Sequence, residues 1–234
     1  MKKMYLFLSM VTVFALALSA CAPAAPVATE PPAPTAVPPT AVPPTATEAP
    51  PAVGSAEHPI KVLFVPSVDA NVIVTGGEVM AAALKEATGL NFEVVVPTSY
   101  AATIEEMCAS PTDTMAFIPA FGYVLANDLC GVDVAFKAVR RGWGVYWTMI
   151  VVARDSDIDS IDDLNGKKFA FPDAGSTSGY LVPSVMLKDA GVTVGEELEA
   201  GGHQQAVRAV YTGEADFAAA FCSPWAATEG ATPW

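Results

Sequence analysis

The sequence predicts an α/β fold made of two successive α/β units. Short apolar runs of strand length alternate with segments in which apolar residues recur at helical spacing, first over residues 59–139 and again from 146 to 221. Glycines stand where the helical segments should stop, as at Gly89, Gly191 and Gly213. Such alternation favours a largely parallel sheet, because each helix carries the chain back to the start of the next strand.

In order, residues 59–66 hold Ile60, Val62, Leu63, Phe64 and Val65, a buried strand. Residues 75–88 carry Val79, Met80, Ala83, Leu84 and Ala87 at helical spacing, and residues 91–96 form a second strand. Ser99 and Tyr100 open a helix, residues 114–118 are a third strand, residues 119–129 are helical, and a strand is expected at 132–139. After the turn-rich run from Arg140 to Gly144, residues 146–153 make a long apolar strand. The second unit then has a short helix at 159–164, a strand at 168–171 and a helix at 179–190. Pro183 falls near the first turn of that helix, where its missing N–H costs least. A helix at 204–211 and a strand at 215–221 complete the series.

The N-terminal quarter belongs to neither unit. Met1-Lys2-Lys3 followed by an apolar stretch to Ala20 reads as an export signal rather than a membrane span. Its end, Leu18-Ser19-Ala20-Cys21, resembles a bacterial lipobox, which implies cleavage before Cys21 and lipidation of that cysteine. Residues 22–56 are dominated by Pro, Ala and Thr, with Ala-Val-Pro-Pro-Thr-Ala at 36–41 and again at 41–46. Such a segment cannot bury a core and is expected to be an extended, semi-rigid spacer.

With 12 Lys and Arg against 25 Asp and Glu, the formal net charge is −13, which argues against a nucleic-acid partner. A small anion remains compatible with this charge, since a local cradle of dipoles can oppose the overall field. Beyond Cys21, the cysteines are Cys108, Cys130 and Cys222, without the paired spacing of a zinc site, and no metal or cofactor is expected. In an exported chain Cys108 and Cys130 are a plausible disulfide, leaving Cys222 free or paired beyond the last residue.

The chemistry gathers in Ala174-Gly175-Ser176-Thr177-Ser178-Gly179-Tyr180, between a strand and a helix. A helix start presents unpaired N–H groups and the positive end of the helix dipole, three hydroxyls add donors, and the glycines let a ligand approach the backbone. The same residues could equally serve as an ordinary N-cap.

Ser99-Tyr100, a strand ending near Pro119 with Tyr123 beyond, Ile161-Asp162-Asp163-Leu164-Asn165-Gly166-Lys167, the Ser-Thr-Ser-Gly-Tyr loop and Gly202-His203 together resemble one family. It is the phosphonate-, phosphite- and phosphate-binding lipoproteins of ABC importers, and the resemblance covers about residues 58–222. It implies a two-lobed type II periplasmic-binding-protein fold, with the ligand in the cleft between lobe one (57–143) and lobe two (144–234). Residues 1–21 are then the signal ending at the lipidated Cys21, and 22–56 the linker. It further implies that Ser176, Thr177, Ser178 and His203 hold the oxyanion, that Tyr100 and Tyr123 close over it, and that a bound anion would favour the imidazolium of His203. Partners would be a permease and its ATPase, with the membrane touched only through the lipid.

Two departures stand out. The sequence lacks the crossover back into lobe one, so lobe two is expected to be incomplete through C-terminal truncation. Where aminophosphonate binders of the family place a carboxylate, this chain has Phe221 and Cys222, which points to phosphite, phosphate or an apolar alkylphosphonate. The same fold also serves sulfonates, nitrate and pyrimidine precursors. An enzyme is the rival class, but Thr177 stands where a G-x-S-x-G elbow needs serine, and only His58 and His203 are present to act as bases. A Ser178–His203–Asp173 relay is conceivable on paper, with nothing in the sequence to fix its geometry.

Overall fold

A computed structural model describes residues 49–223. The signal, the lipidated Cys21 and most of the linker expected from the sequence lie outside the described residues, as does everything after Ser223.

The first unit is a three-stranded parallel sheet in the order β2-β1-β3, from β1 (Ile60–Phe64), β2 (Phe92–Val95) and β3 (Thr114–Phe117). Helix α1 (Ala70–Thr88) links β1 to β2, and α2 (Tyr100–Ala109) links β2 to β3. Helix α3 (Ala120–Cys130) follows β3. Val62 and Leu63 are fully buried at the centre. Gly77 lets α1 lie close on this sheet: a Cβ there would fall 2.7 Å from Val94 Cγ1 and 3.1 Å from Phe64 Cε2. Cys108, near the end of α2, and Cys130, at the end of α3, are joined in a disulfide with their Cα atoms 5.5 Å apart.

The second unit is a four-stranded sheet in the order β4-β7-β5-β6, from β4 (Trp147–Val152), β5 (Lys168–Phe171), β6 (Glu196–Glu199) and β7 (Phe217–Cys222). β4 runs antiparallel to β7, and the other pairs are parallel. Alternation along the strands sorts large from small residues. Phe169, Phe171 and Phe217 form one core with Leu164 and Leu187, the Phe169 and Phe217 rings stacked 4.9 Å apart. On the opposite face Ala170 and Ala218 meet Ala206, Ala209 and Val210 of α5 (His203–Tyr211), and these small side chains admit a closely packed helix. Helix α4 (Val182–Asp189) contributes Leu187 to the phenylalanine core.

Several elements differ from expectation. No strand forms at 132–139: this stretch has no regular structure, and Val134, Val139 and Phe136 (93% exposed) have nothing to bury against. An extended run becomes a strand only beside a partner, and among the described residues none pairs with it. Helix α1 begins at Ala70 rather than at 75, because the Asp69 side chain accepts from Asn71 N–H and caps it earlier. The short helix at 159–164 shrinks to one 3₁₀ turn, Asp162–Leu164, preceded by a loop in which Asp163 accepts from the backbone of Asp159 and Ser160. Strand β6 has no counterpart among the expected elements: three of its four residues are exposed glutamates, and its pairing with β5 rather than its apolar content makes it a strand. The linker gives way by Gly54, whose carbonyl accepts from Asn91 N–H.

Candidate functional site

Every element of the candidate site follows the C-terminal end of a parallel strand, where open α/β sheets place their ligands. Ser67 comes after β1, Tyr100 after β2, Phe121 after β3, Asp173 to Ser178 after β5, and His203 after β6.

The hydroxyl loop is shaped from within. Asp173 Oδ1 accepts from Gly175 N–H at 2.7 Å, an aspartate turn. Ser176 Oγ accepts from Gly179 N–H at 3.1 Å, and Ser176 C=O takes the N–H groups of Tyr180 and Leu181. The chain thus enters through a single π turn, Thr177–Leu181, before α4, two residues earlier than the helix expected at 179. Wide turns of this kind are rare inside helical segments and concentrate at functional sites. Thr148 Oγ1 donates to Ser178 C=O and ties the loop to β4.

Burial sets the electrostatics. Ser176 is 2% exposed, Ser178 is buried, and His203 is 6% exposed. His203 heads α5, its own N–H donating to Ser67 C=O at 2.9 Å, with Nε2 3.4 Å from Ser176 Oγ and the Phe221 ring set edge-on at 4.9 Å. Its Nδ1 is buried and has no hydrogen-bond partner among the described residues. Burial pushes the imidazole down to about 4, so it is neutral at pH 7. Tyr100 is buried at 3% exposure beside Ser176; burial pushes its phenol up to about 12, so it remains a donor across the physiological range.

Two residues absent from the expected oxyanion set belong to this place. Asp173 also accepts from Tyr100 N–H through Oδ2 at 3.1 Å, joining the loop to α2. Tyr146, in the crossover before β4, lies within electrostatic range of Tyr100. The signal for Asp173 was its position two residues before a glycine, and for Tyr146 its place just after the turn-rich run from Arg140 to Gly144.

The structure gathers Ser176, His203 and Tyr100 at one point, with Thr177 and Ser178 on the same loop. Thr177 reaches the first unit, its Oγ1 accepting from Phe121 N–H at 2.9 Å near the start of α3. Tyr123 lies half-buried farther along α3, and among the described residues no side-chain hydrogen bond joins it to the loop. The hydrolase relay does not form. Ser176 rather than Ser178 faces His203, and both Asp173 oxygens are engaged with backbone N–H groups instead of the imidazole. No group of three or more metal-ligating side chains occurs among the described residues, and no described helix is long and apolar enough to cross a membrane.

Residues 62–229 match the family described as ABC transporter, phosphonate, periplasmic substrate-binding protein. The phosphate-import protein PhnD of Mycolicibacterium smegmatis is 32% identical over 152 residues, which are 59% of this chain and 47% of that protein. The chain therefore spans about half the length of this curated relative. Among solved structures, a binding protein component of an ABC phosphonate transporter from Pseudomonas aeruginosa aligns with TM-score 0.60 at 21% identity, over 69% of this chain and 56% of that one. PhnD1 of Prochlorococcus marinus in complex with methylphosphonate aligns with TM-score 0.60 at 20% identity, over 68% of this chain and 62% of that one. The fold is that of the type II periplasmic binding proteins. The chain belongs to the periplasmic phosphonate-binding family of ABC-transporter substrate-binding proteins.

Proposed function

We propose that this chain is the extracytoplasmic capture component of an ABC importer, and that its ligand is a compact phosphorus oxyanion: phosphate, phosphite or an alkylphosphonate. The observation that carries this reading is the unpartnered, buried Nδ1 of His203 at the head of a helix, beside the buried Ser176. A polar atom buried without a partner costs free energy, about 1–3 kcal/mol, which a ligand oxygen would recover.

Ser176, Thr177 and Ser178 are neutral donors, as is His203 before binding, so the site opposes an anion's charge without an unpaired cation buried in advance. Thr177 accepts from Phe121 N–H, which leaves its own O–H to give. Tyr100 is a neutral phenol beside Ser176, suited to contact the same anion; Tyr123 would close over it through a movement of α3. Residues 57–143 and 144–234 act as the two lobes, and approach of a dianion would raise the affinity of His203 for a proton. Phe221, at the position where a carboxylate for an ammonium-bearing tail would be expected, instead sets an apolar ring edge-on to His203. Lipidation at Cys21 would hold the module on the outer face of the membrane, from which it delivers ligand to a permease and ATPase.

A thermal-shift panel with phosphate, phosphite, methylphosphonate, 2-aminoethylphosphonate, sulfate and nitrate tests the assignment. The expected outcome is a rise in Tm with the first three and little with the others. No rise with any phosphorus anion would overturn it.

A further inference from the structure

We propose that Asp173 is a positioning residue for capture, holding the hydroxyl loop against the start of α2 so that Tyr100 and Ser176 meet over one ligand; this role rests on the oxyanion-binding reading above.

Each of the two carboxylate oxygens has its own backbone donor. Oδ1 takes Gly175 N–H from its own loop at 2.7 Å, and Oδ2 takes Tyr100 N–H from the first unit at 3.1 Å. One buried side chain thus bridges the two sheets at the point where the loop begins. Tyr100 is the first residue of α2, and its N–H is one of the donors a helix start cannot satisfy internally. A carboxylate there is favoured by both the donor and the helix dipole, and bonds to an ionised acceptor are the stronger kind.

The backbone is fitted just as closely. A Cβ on Gly175 would fall 2.8 Å from Tyr100 Cβ and 3.1 Å from Asp173 Oδ1, so a side chain there must push the loop and α2 apart. Ser176, the next residue, has its hydroxyl 3.4 Å from His203 Nε2 and lies beside the Tyr100 phenol. Two other hydrogen bonds between the units near the loop, Phe121 N–H to Thr177 Oγ1 and His203 N–H to Ser67 C=O, use neutral acceptors. Asp173 supplies a charged one. Its task is geometric, since both of its oxygens face backbone N–H groups and neither faces the imidazole.

The substitution that reads this role is Asp173→Asn, which keeps the volume but has one acceptor oxygen. The amide can hold Gly175 N–H or Tyr100 N–H, and its NH₂ then opposes the other donor. With phosphate, phosphite and methylphosphonate as probes on the full chain, the dissociation rate constant should rise about tenfold while the association rate constant changes less than about twofold. Gly175→Ala, which wedges the same contact without altering any charge, should act in the same direction, and it carries the test should the asparagine variant fail to fold. Because both changes break one contact, the double variant should be little worse than the worse single one. Dissociation rates within about twofold of the wild type in the folded variants would overturn the proposal, as would fully additive effects. A wild-type protein that binds none of the probes would remove the oxyanion reading and this inference with it, whereas binding that both variants retain would remove this inference alone.

Discussion

The two histidines of the chain stand in opposite circumstances. His58, before β1, has Nε2 2.7 Å from Asp113 Oδ2 and Nδ1 3.2 Å from Pro51 C=O, so both ring nitrogens are occupied. The hydrogen bond with Asp113 raises its pKa above the ordinary value. His203 is buried with Nδ1 unpartnered, and burial lowers its pKa to about 4. His58, which ties the segment before β1 to Asp113, is satisfied by the protein, whereas His203 keeps an unsatisfied nitrogen in the interior. Partner inventory, more than residue type, separates the two roles.

The largest expected effect that sharpens this contrast is the acid dependence of stability. His203 has a folded pKa of about 4, below its unfolded value of about 6.5, so the unfolded chain binds its proton first. Stability therefore falls as pH drops from about 6.5 towards 4. The loss should reach roughly 3 kcal/mol, at about 1.4 kcal/mol for each pH unit that separates the folded and unfolded values. His58 has the opposite sign: the stability from its raised pKa is present below about 6.5 and is lost as pH rises through the folded value. Chemical denaturation from about pH 4 to about pH 8 should therefore show His203→Leu flattening the acid limb. His58→Leu should leave that limb in place. Equal acid limbs in wild type and His203→Leu would break the contrast.

Affinity should follow with a somewhat smaller effect. Calorimetry with phosphite or phosphate should find His203→Leu weakened about thirtyfold, the range expected for a hydrogen bond to a charged partner. His58→Leu should stay within about twofold of the wild type. At neutral pH the free His203→Leu protein should be no less stable than the wild type, because its buried orphan atom has gone.

Smaller again is the effect of Thr177→Val. It leaves Phe121 N–H without its acceptor at the start of α3 and removes one donor from the loop. A loss of about 1 kcal/mol in stability and about fivefold in affinity is expected, measured by denaturant melts and calorimetry. An affinity loss as large as that of His203→Leu would mean that the hydroxyl, not the imidazole, dominates the grip.

Much of this could be read from the residues. The strand–helix alternation, the hydroxyl loop and Gly202-His203 are local patterns, and the fold and the placing of Ser176 near His203 agree with them. Elements whose existence depends on a neighbour escaped. β6 is charged and exposed yet becomes a strand because β5 lies beside it, while 132–139 is apolar yet stays irregular without a partner. The candidate site divides the same way. Hydroxyls and a histidine announce donors, but Asp173 and Tyr146 gain their meaning only from Tyr100, which is 73 residues from Asp173 in the chain.

By itself, then, the sequence determined which segments could be buried, where helices could begin and which side chains could donate to an anion. Periodicity, capping and donor chemistry are properties of a few adjacent residues. The tertiary structure decided that Ser176 rather than Ser178 meets His203, that Thr177 spends its acceptor on Phe121, and that Asp173 joins the loop to α2. These depend on where parallel strands end relative to one another, which chain crossovers and core packing set together. It also decided that Nδ1 of His203 is buried without a partner, because burial is a sum over the whole surroundings of a side chain.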